Sequence, residues 1–164
     1  MWWSDRRGFL AAVGAVALAG CGFRPVYGPG GTGRALRNAV RADDPVSRAD
    51  FQFLHALEDL LGRPTAPRFA LDYRIETHER GGGVVQNFGA TRVQLFGTLH
   101  FTLTDIGTGA TLAEGEVAGN TVYSTTGTQL STMTAAEDAE LRLMRMLADS
   151  LVTRLYTEPG IPAE

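Results

Sequence analysis

A chain of 164 residues with a formal charge of −3, one cysteine and 20 glycines has room for one domain with a sizeable core and for little else. Its 15 basic residues are all arginine and are outnumbered by 18 acids, so binding nucleic acid through a broad basic surface is excluded. A single cysteine excludes a disulfide scaffold, leaving an ordinary apolar core to hold the fold.

The first 20 residues read as an address. Arg6 and Arg7 precede an apolar run from Phe9 to Ala19, about the length of a secretory h-region and short of the ~20 apolar residues a spanning helix needs. Leu18-Ala19-Gly20-Cys21 closes the run with small side chains and a thiol. It resembles the lipobox of bacterial lipoproteins, in which the cysteine sulfur is alkylated with diacylglycerol, the chain is cut before it and the new amine is acylated. Cysteine suits that reaction because a thiolate is a competent nucleophile. Two or three acyl chains, at ~0.8 kcal/mol per buried CH₂, hold a protein on a membrane stably. Residues 4–10 also resemble a twin-arginine export signal, and both that route and the general secretory one fit. The remaining 144 residues carry 13 basic and 17 acidic side chains.

Residues 21–33, rich in Gly and Pro, read as a lipidated tether with Phe23 and Tyr27 able to dock on a surface. Residues 34–43 alternate weakly and predict a first strand. Ser47 and Asp50 have capping-box spacing, and Phe53, Leu54, Leu57, Leu60 and Leu61 form a helical stripe that Gly62 and Pro64 stop. From residue 68 to 78 the period changes to two: Phe69, Leu71, Tyr73, Ile75 and Thr77 face one way, Asp72, Arg74, Glu76 and His78 the other. Gly81-Gly82-Gly83 predicts a hairpin loop. A second strand alternates Val93, Leu95, Gly97, Leu99, Phe101 and Leu103 with Arg92, Gln94, Phe96, Thr98, His100 and Thr102, and a weaker one covers residues 111–123. Residues 124–132 read as a polar loop, and Thr134 with Glu137 predicts the start of a second helix whose stripe is Met144, Leu147, Leu151 and Leu155, with Arg142, Arg145 and Arg154 on other faces. This order predicts an α+β two-layer sandwich: two helices packed on one face of a roughly four-stranded antiparallel or mixed sheet. The implied units are a signal peptide (1–20), the tether (21–33), the α+β domain (34–157) and a short tail (158–164).

No nucleophile elbow, phosphate loop or metal-ligand spacing is present, and His55, His78 and His100 read as solvated surface histidines. These features point to binding rather than catalysis, with no cofactor. The suggestive surface is the wet face of the sheet, where Arg74 and Arg92 share space with Phe96, Gln94 and His100. Arginine pairs bidentately with phosphate, and aromatic carbon suits an acyl chain or a sugar.

Three segments carry a family resemblance: Cys21-Gly-Phe-Arg-Pro-Val-Tyr-Gly28, the strand meander, and the helix from Thr134 to Leu155 with its Ala148-Asp-Ser-Leu-Val-Thr-Arg-Leu155 end. Together they resemble the LPS-assembly lipoprotein family LptE in its alphaproteobacterial form. The resemblance implies two helices on a four-stranded sheet in a non-enzymatic, periplasm-facing lipoprotein of the outer membrane. Its partners would be the LptD β-barrel, which it plugs and helps assemble, and lipopolysaccharide, which it helps place in the outer leaflet. Gly22 after the cysteine fits outer-membrane delivery by the sorting rule of enteric lipoproteins. Arg74 and Arg92 as candidate lipopolysaccharide contacts come from strand geometry, not from the family. A lipoprotein subunit of a lipid-trafficking ABC system would share the lipobox, the size and the α+β character.

Overall fold

The structure is a computed structural model that describes residues 26–28, 31–85 and 89–162. Cys21 and its lipobox lie outside the described residues. A short helix α1 (Thr32–Leu36) leads to strand β1 (Val40–Ala42), helix α2 (Arg48–Leu61), strands β2 (Phe69–Val85), β3 (Gly89–Asp105) and β4 (Thr111–Ser124), and helix α3 (Gln129–Thr157). The strands lie side by side in chain order. β1 runs parallel to the start of β2, and β2, β3 and β4 form an antiparallel meander. The sheet is therefore mixed, with the two long helices on one face, the α+β architecture that the hydrophobic periodicities predict.

Helix α2 starts where the capping signature places it: the Asp50 amide donates to the Ser47 hydroxyl at 3.1 Å. It ends at Gly62, whose φ of 80° lies in the left-handed region and whose amide donates to the Glu58 carbonyl at 2.8 Å. The core joins Phe53, Leu57 and Leu61 of α2 to Leu71, Leu99 and Leu103 of the sheet and Leu143, Leu147, Leu151 and Leu155 of α3. Burying each such side chain is worth roughly 1.5–3 kcal/mol. Gly97 sits in the apolar row of β3 because α3 lies directly on it: a Cβ there would stand 3.0 Å from Leu143 Cδ2 and 3.1 Å from Leu147 Cδ1. Farther along, the buried Thr121 hydroxyl donates to the Ala139 carbonyl at 3.1 Å, tying β4 to the helix. Arg142 also returns to the sheet, pairing with Asp138 at 3.0 Å and donating to the Val122 carbonyl at 3.3 Å.

Three local expectations are corrected. Only residues 40–42 of the predicted first strand are extended; Leu36 is buried at the end of α1 instead. Residues 81–83 are not the hairpin loop, since Gly81 pairs with Val93, Gly82 with Arg92, and the ladder runs on to Val85 opposite Gly89. Glycine's liking for turns loses here to the continuing backbone ladder, which needs no side chains. Helix α3 starts at Gln129 rather than near Thr134, because Thr128 supplies an earlier cap, its hydroxyl accepting from the Ser131 amide at 3.3 Å. With 29 residues α3 is about 43 Å long, twice the length of the 14-residue α2, whose first residue Arg48 reaches it at Glu137, so α3 extends two turns beyond its partner helix.

Candidate functional site

The face of the sheet turned away from the helices is built from cross-strand rows fixed by the register. From the end nearest β1 these are Asp72–Thr102–Glu114, Arg74–His100–Glu116, Glu76–Thr98–Ala118, His78–Phe96–Asn120, Arg80–Gln94–Val122 and Gly82–Arg92–Ser124. Such directly opposed residues stand close enough to act together. The rows divide the face electrostatically. The first three hold four carboxylates, Asp72, Glu76, Glu114 and Glu116, against one arginine; the last three hold Arg80 and Arg92 and no acid.

At the acidic end a shallow concavity of about 550 Å³ is lined by Asp72, Arg74, His100, Phe101, Thr102, Glu114 and Gly115. Arg74 is engaged by Glu76 at 3.2 Å, and His100 Nδ1 lies 3.5 Å from a Glu116 carboxylate oxygen. Both pairs are exposed, and such pairs contribute about 0–1 kcal/mol. At the other end His78 stacks on Phe96 with ring centroids 5.0 Å apart and planes 7° from parallel, and the Arg80 guanidinium lies 5.7 Å from the Phe96 centroid. Arg92 is the diagonal neighbour of Arg80, roughly 7 Å away by sheet geometry. Among the described residues neither Arg80 nor Arg92 is in an ion pair. Two unopposed guanidinium groups beside a stacked aromatic pair can take an anion and apolar or sugar surface at once.

Arg74 and Arg92, singled out together from the sequence, stand at opposite ends of this face, eight residues apart along β2 and thus about 26 Å. Arg92 has Gln94 in the adjacent row and Phe96 two rows away, whereas Arg74 shares its row with His100. Arg80 is the residue that sequence reading missed. The strand was taken to end at His78, yet Arg80 has the parity of Arg74 and continues the same face. His78 and His100 lie two rows apart and do not converge, and no group of three metal-ligating side chains occurs among the described residues.

The inner face supplies a contrasting recess of about 370 Å³ between the middle of β2, Leu95 of β3 and the third turn of α3, lined by Thr77, His78, Glu79, Leu95, Ala136, Glu137 and Glu140. There the Tyr123 hydroxyl donates to Glu79 at 3.0 Å. Burial first, and then the bond to Glu79, holds that phenol protonated above the usual tyrosine range. Its three carboxylates, of which Glu137 is paired with Arg48 at 3.2 Å, make the recess a poor seat for an anion, which leaves the basic end of the outer face. No helix among the described residues is long and apolar enough to cross a membrane.

Residues 29–155 match the family model described as LptE: Lipopolysaccharide-assembly. No curated protein matches the chain. Among solved structures, a putative lipoprotein from Caulobacter crescentus CB15 superposes with a TM-score of 0.63 at 19% identity, covering 77% of this chain and 93% of that one. The rare lipoprotein B of Shewanella oneidensis gives 0.54 at 11% identity, covering 71% and 91%. An uncharacterized lipoprotein B from Nitrosomonas europaea gives 0.52 at 10%, covering 72% and 80%. At these identities the structures share the fold with this chain.

Proposed function

The chain belongs to the LptE family of lipopolysaccharide-assembly lipoproteins, and from that premise we propose that it is the outer-membrane subunit that seats in the LptD β-barrel and helps deliver lipopolysaccharide to the outer leaflet. The family match over residues 29–155 carries this reading. Diacylglycerol on Cys21 anchors the chain on the periplasmic side. The work is binding and positioning, not catalysis: the long β2–β3 hairpin and the loop between β4 and α3 enter the barrel lumen, where polar and small side chains suit a water-filled interior.

Contact with lipopolysaccharide falls to the outer sheet face. Arg80 and Arg92 take phosphate groups while the His78–Phe96 stack offers carbon surface to sugar or acyl chain. Arg74, held by Glu76 among carboxylates, contributes less. Isolation of the tagged native protein from membranes tests the partnership, with a large β-barrel expected in one-to-one proportion and its absence refuting the plug role. Binding of purified protein to lipopolysaccharide tests the contact: Arg80→Ala with Arg92→Ala should weaken it at unchanged melting temperature, and Arg74→Ala should weaken it less. Unaltered binding in the double variant would remove these arginines from the site.

A further inference from the structure

Val26 and Tyr27 are strapped onto the helical layer. The Gly33 amide donates to the Val26 carbonyl at 3.0 Å, and the Gly31 amide to the Gly28 carbonyl at 2.9 Å. Gly33 is buried under this strap: a Cβ there would come within 2.7 Å of Val26 Cγ1 and 3.1 Å of Tyr27 Cε1. The Tyr27 ring meets Tyr156 edge-on with centroids 5.7 Å apart, and the two hydroxyls share a hydrogen bond of 2.6 Å. Burial, then the bond to Tyr27, raises the Tyr156 hydroxyl pKa far above the usual tyrosine range. The strap thus joins the leader to the start of α1 and to the last turn of α3.

Chain length turns this clasp into a constraint. Only Gly22, Phe23, Arg24 and Pro25 separate Cys21 from Val26, and five Cα steps span at most about 18 Å. Any surface that holds Cys21 therefore lies close to the pole formed by α1 and the end of α3. That pole carries Arg34 and Arg37, both exposed and, among the described residues, in no ion pair. An exposed arginine is drawn to an anionic bilayer surface, where its guanidinium meets lipid phosphates.

We propose that the Val26–Tyr27 strap orients the domain on its membrane, setting the α1 and α3 pole against phospholipid headgroups with Arg34 and Arg37 at their phosphates. This rests on the acylation of Cys21 proposed above. The occupant of the pole is the bilayer that holds the anchor, because the tether is too short to let that bilayer reach the far end of the sheet.

The native acylated chain, reconstituted in phosphatidylcholine vesicles with and without phosphatidylglycerol, tests it. A fluorophore is placed at Thr157→Cys, at the strapped pole, or at Thr126→Cys, beyond the end of β4, and quenched by a spin label on lipid headgroups. Strong quenching at 157 with little at 126 is expected. The contrast should be lost in Tyr27→Ala and in Gly33→Leu, each checked for an unchanged thermal unfolding transition. Arg34→Ala with Arg37→Ala should abolish the increase in quenching that phosphatidylglycerol brings. Equal quenching at both positions in the acylated chain, or a full contrast surviving in a folded strap variant, would overturn the orientation and leave the anchor standing. A Cys21 peptide without acyl mass would overturn both.

Discussion

Replacing Gly97 by valine adds a Cβ and two methyl groups where a Cβ alone would already press on α3. A Cβ alone would stand 3.0 Å from Leu143 and 3.1 Å from Leu147, both fully buried, and the added γ-carbons reach farther into the α3 contact. Overpacking a filled core costs about 1–3 kcal/mol. Valine recovers part of that, because glycine inside a strand is unfavourable by roughly 0.5–1 kcal/mol. The net expectation is a loss of about 1–2 kcal/mol, read as a lower denaturant midpoint at constant m-value by circular dichroism. Gly82→Val is the control: nothing lies within 4 Å of its Cβ position, so the same chemistry should be neutral or slightly stabilising. Shortening the obstructing side chain in Gly97→Val with Leu143→Val should return part of the loss, a coupling that a double-mutant cycle measures. Equal midpoints for Gly97→Val and Gly82→Val, or strict additivity in the cycle, would refute the packing of α3 on β3.

Leu147→Asp or Leu151→Asp buries a carboxylate in a site with 0% exposure and should cost several kcal/mol, enough to unfold a domain of ordinary stability; a cooperative thermal transition near that of the parent chain would contradict it. Arg142→Ala, which breaks the exposed pair with Asp138 and the bond to the Val122 carbonyl, should cost up to about 1 kcal/mol, more than Arg145→Ala in the same melting assay. Asp105 accepts from the Thr108 amide, then the Thr108 hydroxyl and the Gly107 amide, with Arg68 at 3.6 Å, and these lower its pKa. A lowered folded-state pKa makes its contribution complete above the unfolded value of about 3.9 and lost as pH falls through the folded one. Asp105→Asn should therefore be less stable than the parent at neutral pH, with the gap closing on acidification below about pH 4; a gap independent of pH would exclude the carboxylate as its cause.

Elements whose burial repeats regularly were legible in the sequence, because apolar spacing reports directly which face meets a partner. Phe53, Leu57 and Leu61 of the α2 stripe, the alternation through Phe69, Leu71 and Leu99, and the α3 stripe from Met144 to Leu155 reappear in the core, and the Ser47 cap is made; Leu60, placed on the same stripe by spacing, is instead exposed. Legibility faded where burial did. Beyond Ile75 every described β2 side chain as far as Gly81 is exposed, so nothing in the apolar pattern marks the strand's continuation, and Gly81-Gly82-Gly83 read as a loop. That misplaced end hid Arg80. The early start of α3 was hidden for the same reason: Leu130 and Met133 are 75% and 57% exposed, and the cap at Thr128 has no apolar run directly behind it. The grouping of Arg74 with Arg92 came from parity alone. Parity assigns a face but carries no distance along it.

The length of β2 connects the strap to the proposed ligand face. Val40 of β1 pairs with Phe69, which places the first residues of β2 beside the α1 end of the molecule. Arg80 lies eleven residues farther along the strand, roughly 36 Å at ~3.3 Å per residue. That exceeds the ~30 Å hydrocarbon core of a bilayer. A domain strapped by Val26 and Tyr27 to the proposed anchor in the inner leaflet, with its sheet running along a barrel axis, would thus carry Arg80 and Arg92 to the depth of the opposite headgroups, where the proposed lipopolysaccharide contact would lie. A sheet lying across the barrel would keep both ends at one depth. Photo-crosslinkers at Gln94 and at Thr102, on the same face but at opposite ends, separate the two arrangements in living cells: lengthwise insertion predicts barrel adducts on outward-side lumen segments from 94 and on periplasmic-side segments from 102. Adducts from both positions to segments at one depth would exclude the lengthwise plug and sever the link between the strap and the basic end of the sheet.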